Sequence, residues 1–147
     1  MFMRGRRLFT IASFATILVS ALHTIGNLNT TPADTGQAAV QHLMRGYTIP
    51  LGMGMAPSIW DIHRLLVFTM TLTLVALGAL GLVLAADRQA PAGLLRRVAV
   101  VLTLSSAALA VICFVYQVPP PLISFVVVTC LYGAAIFTTK DQAQQLH

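Results

Sequence analysis

The sequence predicts an all-α membrane protein: a bundle of four transmembrane helices with a short extracytoplasmic amphipathic helix between the first span and the second. Three observations lead to this fold class. Four apolar stretches are each long enough to cross a bilayer core of about 30 Å as a helix. Only 9% of the 147 residues are charged, whereas soluble domains carry about 25%. The basic residues stand at the ends of the apolar stretches, so the net charge of +5 indicates membrane topology rather than nucleic-acid binding.

The first predicted span covers residues 8–28 and carries a polar stripe. The polar side chains recur at steps of three and four residues, which places them on one helical face: Ser13, Thr16, Ser20, His23, Thr24 and Asn27. Such a stripe is expected to face protein rather than lipid. The basic residues before it resemble the start of a signal peptide. The apolar run is longer than in signal peptides and lacks a small-x-small cleavage site, so we expect a retained span.

Residues 29–57 form a long polar connection and predict a short helix followed by a loop. The run T-P-A-D at Thr31–Asp34 is typical of a helix start, with Pro32 in the first helical position. Apolar residues then recur on one side as far as Gly46, so we expect an amphipathic helix that lies at the membrane interface. The next segment, Y-T-I-P-L-G-M-G-M-A-P, is rich in Gly, Pro and Met and is expected to be an irregular loop.

The second predicted span, residues 59–86, begins with a helix-start pattern. Ser58 is a favourable N-cap, and the carboxylate of Asp61 stands three positions on, where it can reach back to free backbone N–H groups. No charged residue follows between Leu65 and Ala86. The polar residues of the run P-S-I-W-D-I-H-R are therefore concentrated at the mouth of this helix.

The third and fourth predicted spans cover residues 94–118 and 122–139. Three consecutive prolines, Pro119–Pro121, separate them and are expected to force an extended turn, because they donate no backbone hydrogen bonds. All four spans can pack against one another, which predicts a single domain over residues 1–147.

The distribution of basic residues predicts the orientation in a bacterial cytoplasmic membrane. Two arginines, Arg45 and Arg64, lie on one side of the predicted spans, and seven basic residues lie on the other: Arg4, Arg6, Arg7, Arg88, Arg96, Arg97 and Lys140. By the positive-inside rule we expect both termini to be cytoplasmic. The mouth of the second span then faces outward.

In an antiparallel bundle the ends of spans 1 and 3 and the start of span 2 meet on one side. This arrangement predicts an acid–base group of three catalytic candidates, His23, Asp61 and Tyr116. The residues expected to bind a ligand beside them are Asn27, Trp60, His63, Arg64 and Gln117. The alternative interpretation is structural: an ion pair of Asp61 with Arg64, covered by a cation–π contact of Arg64 on Trp60, anchors the helix mouth.

The sequence predicts neither a metal site nor a cofactor. His23, His42, His63 and Asp61 are residue types that bind zinc or iron, but no pair has H-x-x-x-H or E-x-x-H spacing. The two cysteines, Cys113 and Cys130, both fall within predicted spans and are expected to be inert thiols rather than a disulfide.

Several short motifs resemble a known family. They are H-T-I-G at His23–Gly26, a following loop with Met44, the run M-G-x-x-P-S-I-W-D that ends at Asp61, and the glycines of the second span. Over residues 8–137 the chain thereby resembles an uncharacterised family of small four-span bacterial membrane proteins. This resemblance implies the architecture and no particular reaction. The outline is also similar to four-span sterol isomerase-like domains, although this chain contains no glutamate.

These residues favour two functions. The first is an integral membrane enzyme or binding protein for a lipophilic small molecule, with isomerisation, cyclisation or epoxide opening as the acid–base chemistry. The second is a non-catalytic accessory subunit, whose partners are copies of itself or a larger membrane complex. A channel or proton path is disfavoured, because the spans contain hydroxyl groups but no continuous chain of ionisable groups.

Overall fold

The computed structural model describes residues 2–28 and 31–139, and its regular structure there is entirely helical. The five helices are α1 (Phe2–Leu28), α2 (Thr35–Gly46), α3 (Ile59–Ala86), α4 (Ala92–Val115) and α5 (Pro119–Thr139). All but α2 are long and apolar enough to cross a membrane. The predicted fold class is therefore confirmed. Lys140, which contributed to the predicted orientation, lies outside the described residues.

The described chain forms two compact units. The first contains the residues up to Ser20 and those from Leu74 onward, and the second contains Ala21–Thr73. The division falls inside α1 and α3, so each of these helices contributes residues to both units.

Small residues allow close helix packing in the first unit. Its buried core includes Phe9, Tyr132 and four alanines. A Cβ atom at Gly78 would lie 2.9 Å from the carbonyl oxygen of Ser13 and would also press on Ile17. A Cβ atom at Gly81 would overlap the Ser13 side chain. The glycines of α3 therefore let its backbone approach α1, as small residues do in membrane bundles.

The polar stripe of α1 is buried in the first unit, as predicted. Ser13 and Ser20 are 0% exposed and Thr16 is 5% exposed. The Ser13 and Thr16 hydroxyl groups donate to the carbonyl oxygens one turn earlier in α1, and each lies 3.3 Å from the Tyr132 hydroxyl of α5. Because every one of these buried groups has a hydrogen-bond partner, the stripe holds helices together at little desolvation cost.

The connection between α4 and α5 differs from the prediction. α4 ends at Val115 rather than at residue 118, and Gln117 adopts a left-handed conformation with φ of 54° that turns the chain. The three prolines do not form an extended turn. They occupy the first turn of α5, where a helix does not use its N–H groups, so their missing donors cost nothing.

In the second unit, α2 begins later than the sequence predicted. Asp34, not Thr31, is the N-cap: its backbone is extended, and its carboxylate accepts a hydrogen bond of 2.7 Å from the Gln37 N–H. Pro32 therefore precedes the helix. α2 is amphipathic and has no buried residue, so its apolar side, which includes Val40 and Leu43, is exposed.

The segment between α2 and α3 is more regular than the predicted irregular loop. It folds back on itself through hydrogen bonds from Ile49 N to Pro57 O and from Ile59 N to Tyr47 O. The tip, Gly52–Gly54, has positive φ values at all three residues, which explains the two glycines. This hairpin joins the end of α2 to the start of α3.

Candidate functional site

The second unit contains a partly open cavity of about 170 Å³. The last turn of α1, the last turn of α2 and the first turns of α3 form its walls. Seven of its lining side chains carry a charge, a polar group or an aromatic ring: Thr24, Asn27, Arg45, Trp60, His63, Arg64 and Phe68. Leu28 and Val67 complete the lining. We call this cavity the arginine pocket.

The start of α3 is fixed by a reciprocal cap, as the sequence predicted. The Asp61 carboxylate accepts hydrogen bonds from the Ser58 N–H at 3.0 Å and from the Ser58 hydroxyl at 2.7 Å. In return, the Ser58 oxygen accepts a bond of 3.1 Å from the Asp61 N–H. This is a capping box with aspartate in place of the usual glutamate. Asp61 is not among the residues that line the arginine pocket.

Both predicted contacts of Arg64 are wrong. Within residues 2–28 and 31–139 there is no ion pair between Asp61 and Arg64, because the carboxylate is bound to Ser58 instead. The Arg64 guanidinium lies 5.6 Å from the centre of the Phe68 ring, one turn further along α3. The cation over Trp60 is Arg45, at 4.9 Å from the ring centre. The Arg45–Trp60 contact therefore links the end of α2 to the start of α3.

His63 lies beside Trp60 on α3, with ring centroids 5.9 Å apart and the ring planes tilted by 41°. A hydrogen bond of 2.9 Å between Thr24 of α1 and Thr71 of α3 connects the two long helices. These contacts fix the spacing of α1 and α3 within the second unit.

His23 and Asn27 interact along one face of α1. The Asn27 amide nitrogen donates to the His23 carbonyl oxygen at 2.8 Å and lies 3.4 Å from the ring nitrogen Nδ1. Because the amide is a donor, this network assigns Nδ1 as the acceptor and places the proton of a neutral ring on Nε2. Nε2 is buried and has no hydrogen-bond partner in the part of the chain that the structure describes. Asn27 lines the arginine pocket, whereas His23 does not.

The structure therefore brings together four of the five residues predicted to bind a ligand: Asn27, Trp60, His63 and Arg64. The fifth, Gln117, and the catalytic candidate Tyr116 belong to the first unit. There Tyr116 forms the C-cap of α4 and is 75% exposed. Their predicted convergence with the other residues stays a prediction.

Sequence reasoning did not assign five of the nine residues that line the pocket, and Arg45 and Phe68 are the two of them that take part in cation–π contacts. The connection between the first two spans contains one Lys or Arg residue, Arg45. This pattern could have identified Arg45 as a candidate ligand-binding residue. Phe68 follows Arg64 by four residues, which is the spacing of helical neighbours. It was overlooked because a phenylalanine within an apolar span has no distinctive pattern.

No cluster in the described part of the chain indicates metal or redox chemistry. Among residues 2–28 and 31–139 there is no group of three or more His, Cys, Asp or Glu side chains that could hold a metal ion. Cys113 and Cys130 are not joined to each other and are free thiols. The arginine pocket is thus the feature with the clearest capacity for recognition: its polar groups suit one end of a molecule, and Leu28, Val67 and Phe68 suit an apolar remainder.

Comparison with known proteins adds no relative. No known protein family, no curated protein and no solved structure matches this chain.

Proposed function

We propose that this protein is a small integral membrane protein that binds a lipophilic small molecule in the arginine pocket. The observation that carries the proposal is the composition of this pocket, in which arginine, histidine and asparagine side chains share a cavity with apolar and aromatic walls. Ligand sites in proteins are concave, largely apolar and marked by a few convergent polar groups. The start of a membrane-spanning helix is also where an amphipathic molecule can place its polar end in water and its apolar body in lipid.

Binding is supported more directly than acid–base catalysis. Of the three catalytic candidates, Asp61 uses its carboxylate to cap α3, and Tyr116 is not among the residues that line the pocket. A catalytic version of the proposal, by isomerisation, cyclisation or epoxide opening, would depend on His23, which does not line the pocket and whose Nε2 is buried. We therefore place binding first and assign any proton transfer to His23.

The location that we propose is the bacterial cytoplasmic membrane, with both termini cytoplasmic. The basic residues of the α3–α4 turn and of the start of α1 support this orientation, because positively charged segments stay on the cytoplasmic side. The arginine pocket then opens outward. Membership of the four-span family that the motifs resemble is part of the same proposal.

An accessory subunit is the second candidate, and one observation favours it. In the first unit an apolar groove of about 290 Å³ runs between α3 and α4 and is lined by Leu77, Leu80, Gly81 and Val101. The apolar side chains of such a groove can pack against a further helix within the membrane. Under this proposal the groove receives a helix of a second copy or of a larger membrane complex.

The test is native mass spectrometry of the full-length protein, purified in mild detergent, with two matched variants. Val67→Trp fills the arginine pocket, whereas Leu80→Trp fills the α3–α4 groove. We expect a small molecule to copurify with the parent protein and with Leu80→Trp, and to be absent from Val67→Trp. Loss of a bound protein in Leu80→Trp alone, with no small molecule in any sample, would instead support the accessory subunit.

A further inference from the structure

Two arginine side chains line the same pocket, and an aromatic ring supports each of them. Arg45 lies over Trp60 and Arg64 lies over Phe68, at 4.9 and 5.6 Å from the ring centres. A guanidinium is planar, so stacking occupies one of its faces and leaves the N–H groups at its edge available as donors. Both arginines are therefore held in place while keeping the part of the side chain that recognises oxygen anions.

Within the described chain, no carboxylate is in direct contact with either guanidinium, although Asp61 interacts electrostatically with Arg64 over a longer distance. Neither guanidinium has a hydrogen-bond or ion-pair partner among the residues that the structure describes. The nearest acidic residue in sequence, Asp61, accepts from Ser58, and Asp34 caps the end of α2 opposite to Arg45. No carboxylate of residues 2–28 and 31–139 lines the pocket, so its two arginines give it a net positive charge. His63 and Asn27 add groups that can form further hydrogen bonds.

The size of the pocket limits what can enter it. Its volume of about 170 Å³ is close to that of an engineered protein cavity of about 150 Å³ that binds a benzene molecule. This space holds a small polar group and the first carbons attached to it, and it is too small for a whole lipid. The apolar side chains Leu28 and Val67 continue the wall, so the remainder of an amphipathic ligand would leave along them toward the bilayer.

From these three observations we infer that the ligand carries an anionic oxygen group, a carboxylate or a phosphate, and that Arg45 and Arg64 bind this group together. Arginine pairs with both anions through two parallel N–H···O bonds, and such charge-assisted bonds are about twice as strong as neutral ones. This inference rests on the proposed function and specifies the chemical class of the ligand. The anion belongs either to an amphipathic molecule in the membrane or to a free oxyanion in solution.

The experiment uses the fluorescence of Trp60, which is the single tryptophan of the chain and lies in the pocket. The full-length protein in nonionic detergent is titrated with sodium laurate, dodecyl phosphate, dodecanol and inorganic phosphate. We expect saturable changes in emission with laurate and dodecyl phosphate, and at least about tenfold weaker binding of dodecanol, the effect of one lost charge-assisted bond. A saturable response to inorganic phosphate would support a free oxyanion as the source. A response limited to the two anionic amphiphiles would support a membrane-borne one.

Four variants examine the roles of the arginines. Arg45→Gln and Arg64→Gln should each weaken laurate binding about tenfold. Arg96→Gln, which changes an exposed arginine of the first unit, should leave laurate binding unchanged. Arg45→Lys keeps the charge and should bind more tightly than Arg45→Gln. Helical content and melting temperature of each variant establish that it is folded.

The possible failures are distinguishable. Equal binding of dodecanol and laurate, unaffected by Arg45→Gln or Arg64→Gln, would overturn the anionic class while leaving a binding site for a lipophilic molecule. If no amphiphile changes Trp60 emission, and no small molecule copurifies with the protein, the proposed function fails together with this inference.

Discussion

Replacing Gly78 by alanine tests the close approach of α3 to α1 in the first unit. A Cβ atom at this position would lie 2.5 Å from Cγ1 of Ile17 and 2.9 Å from the carbonyl oxygen of Ser13. The Ile17 side chain can rotate away, but the Ser13 oxygen belongs to the backbone of α1 and cannot move unless the helix moves. Gly78→Ala therefore forces α1 and α3 apart by several tenths of an ångström.

The magnitude follows from two opposing effects. Overpacking of a tightly packed interior costs about 1–3 kcal/mol, and alanine is about 1 kcal/mol better than glycine in a helix. The net destabilisation is about 0–2 kcal/mol, so the single variant is best compared with a control. Gly133 of α5 provides it, because nothing lies within 4 Å of a Cβ atom built there. Gly133→Ala therefore gains the helix propensity of alanine without the cost of overpacking.

The assay is the unfolding free energy of both variants in the same detergent, measured by helical circular dichroism against denaturant. We expect Gly133→Ala to be more stable than Gly78→Ala by about 1–3 kcal/mol, the cost of the overpacking alone. Equal stability of the two variants would refute the close packing of α3 on α1. The glycines of the second span would then have no packing role.

Four further predictions follow. Asp61→Ala should lower the melting temperature, because Ser58 loses its acceptor, whereas Asp61→Asn should retain most of the parent stability; equal melting of all three proteins would contradict the capping role. Tyr132→Phe should cost only about 0.6 kcal/mol of unfolding free energy, because the α1 hydroxyl groups keep their backbone acceptors; a cost several times larger would contradict this. A cysteine at Gly36 should react with a membrane-impermeant reagent in intact cells, and labelling only after lysis would reverse the proposed orientation. His23→Gln should remain folded, and His23→Leu should lose about 1 kcal/mol of unfolding free energy. Loss of turnover in a folded His23→Gln variant would support a catalytic role of His23, and full function of that variant would exclude this role.

The fold could be predicted because each of its determinants is local. The length of an apolar run, the charges at its ends and the Ser58–Asp61 cap are properties of neighbouring residues. The errors in the predicted helix bounds arose where two local signals competed. Pro32 and Asp34 are both residue types that start helices. Asp34 is the N-cap because its carboxylate accepts a hydrogen bond from a free backbone N–H. The prolines at 119–121 signal a turn and a helix start equally, and the turn was made by Gln117 instead.

The candidate site could be predicted only in part, because its contacts depend on residues that are distant in sequence. The concentration of Trp60, His63 and Arg64 at the mouth of α3 was evident from the sequence. The partner of Trp60 was not, since Arg45 reaches it through the fold of the hairpin rather than through helical spacing. Spacing alone favoured Arg64, four residues along the same helix. The tertiary structure therefore decides which cation packs against the ring of Trp60.

The polar groups of the two units differ in whether their hydrogen-bonding capacity is already used. In the first unit the buried hydroxyl groups of Ser13, Thr16 and Ser106 each donate to a carbonyl oxygen one turn earlier, so they have no remaining proton to offer a ligand. In the second unit the guanidinium groups of Arg45 and Arg64 have donors to spare. A polar group that is satisfied within the protein contributes to stability, whereas one that is oriented and has only solvent as its partner can bind a ligand. This difference, rather than the number of polar residues, is why we assign recognition to the arginine pocket and a structural role to the polar stripe of α1 in the first unit.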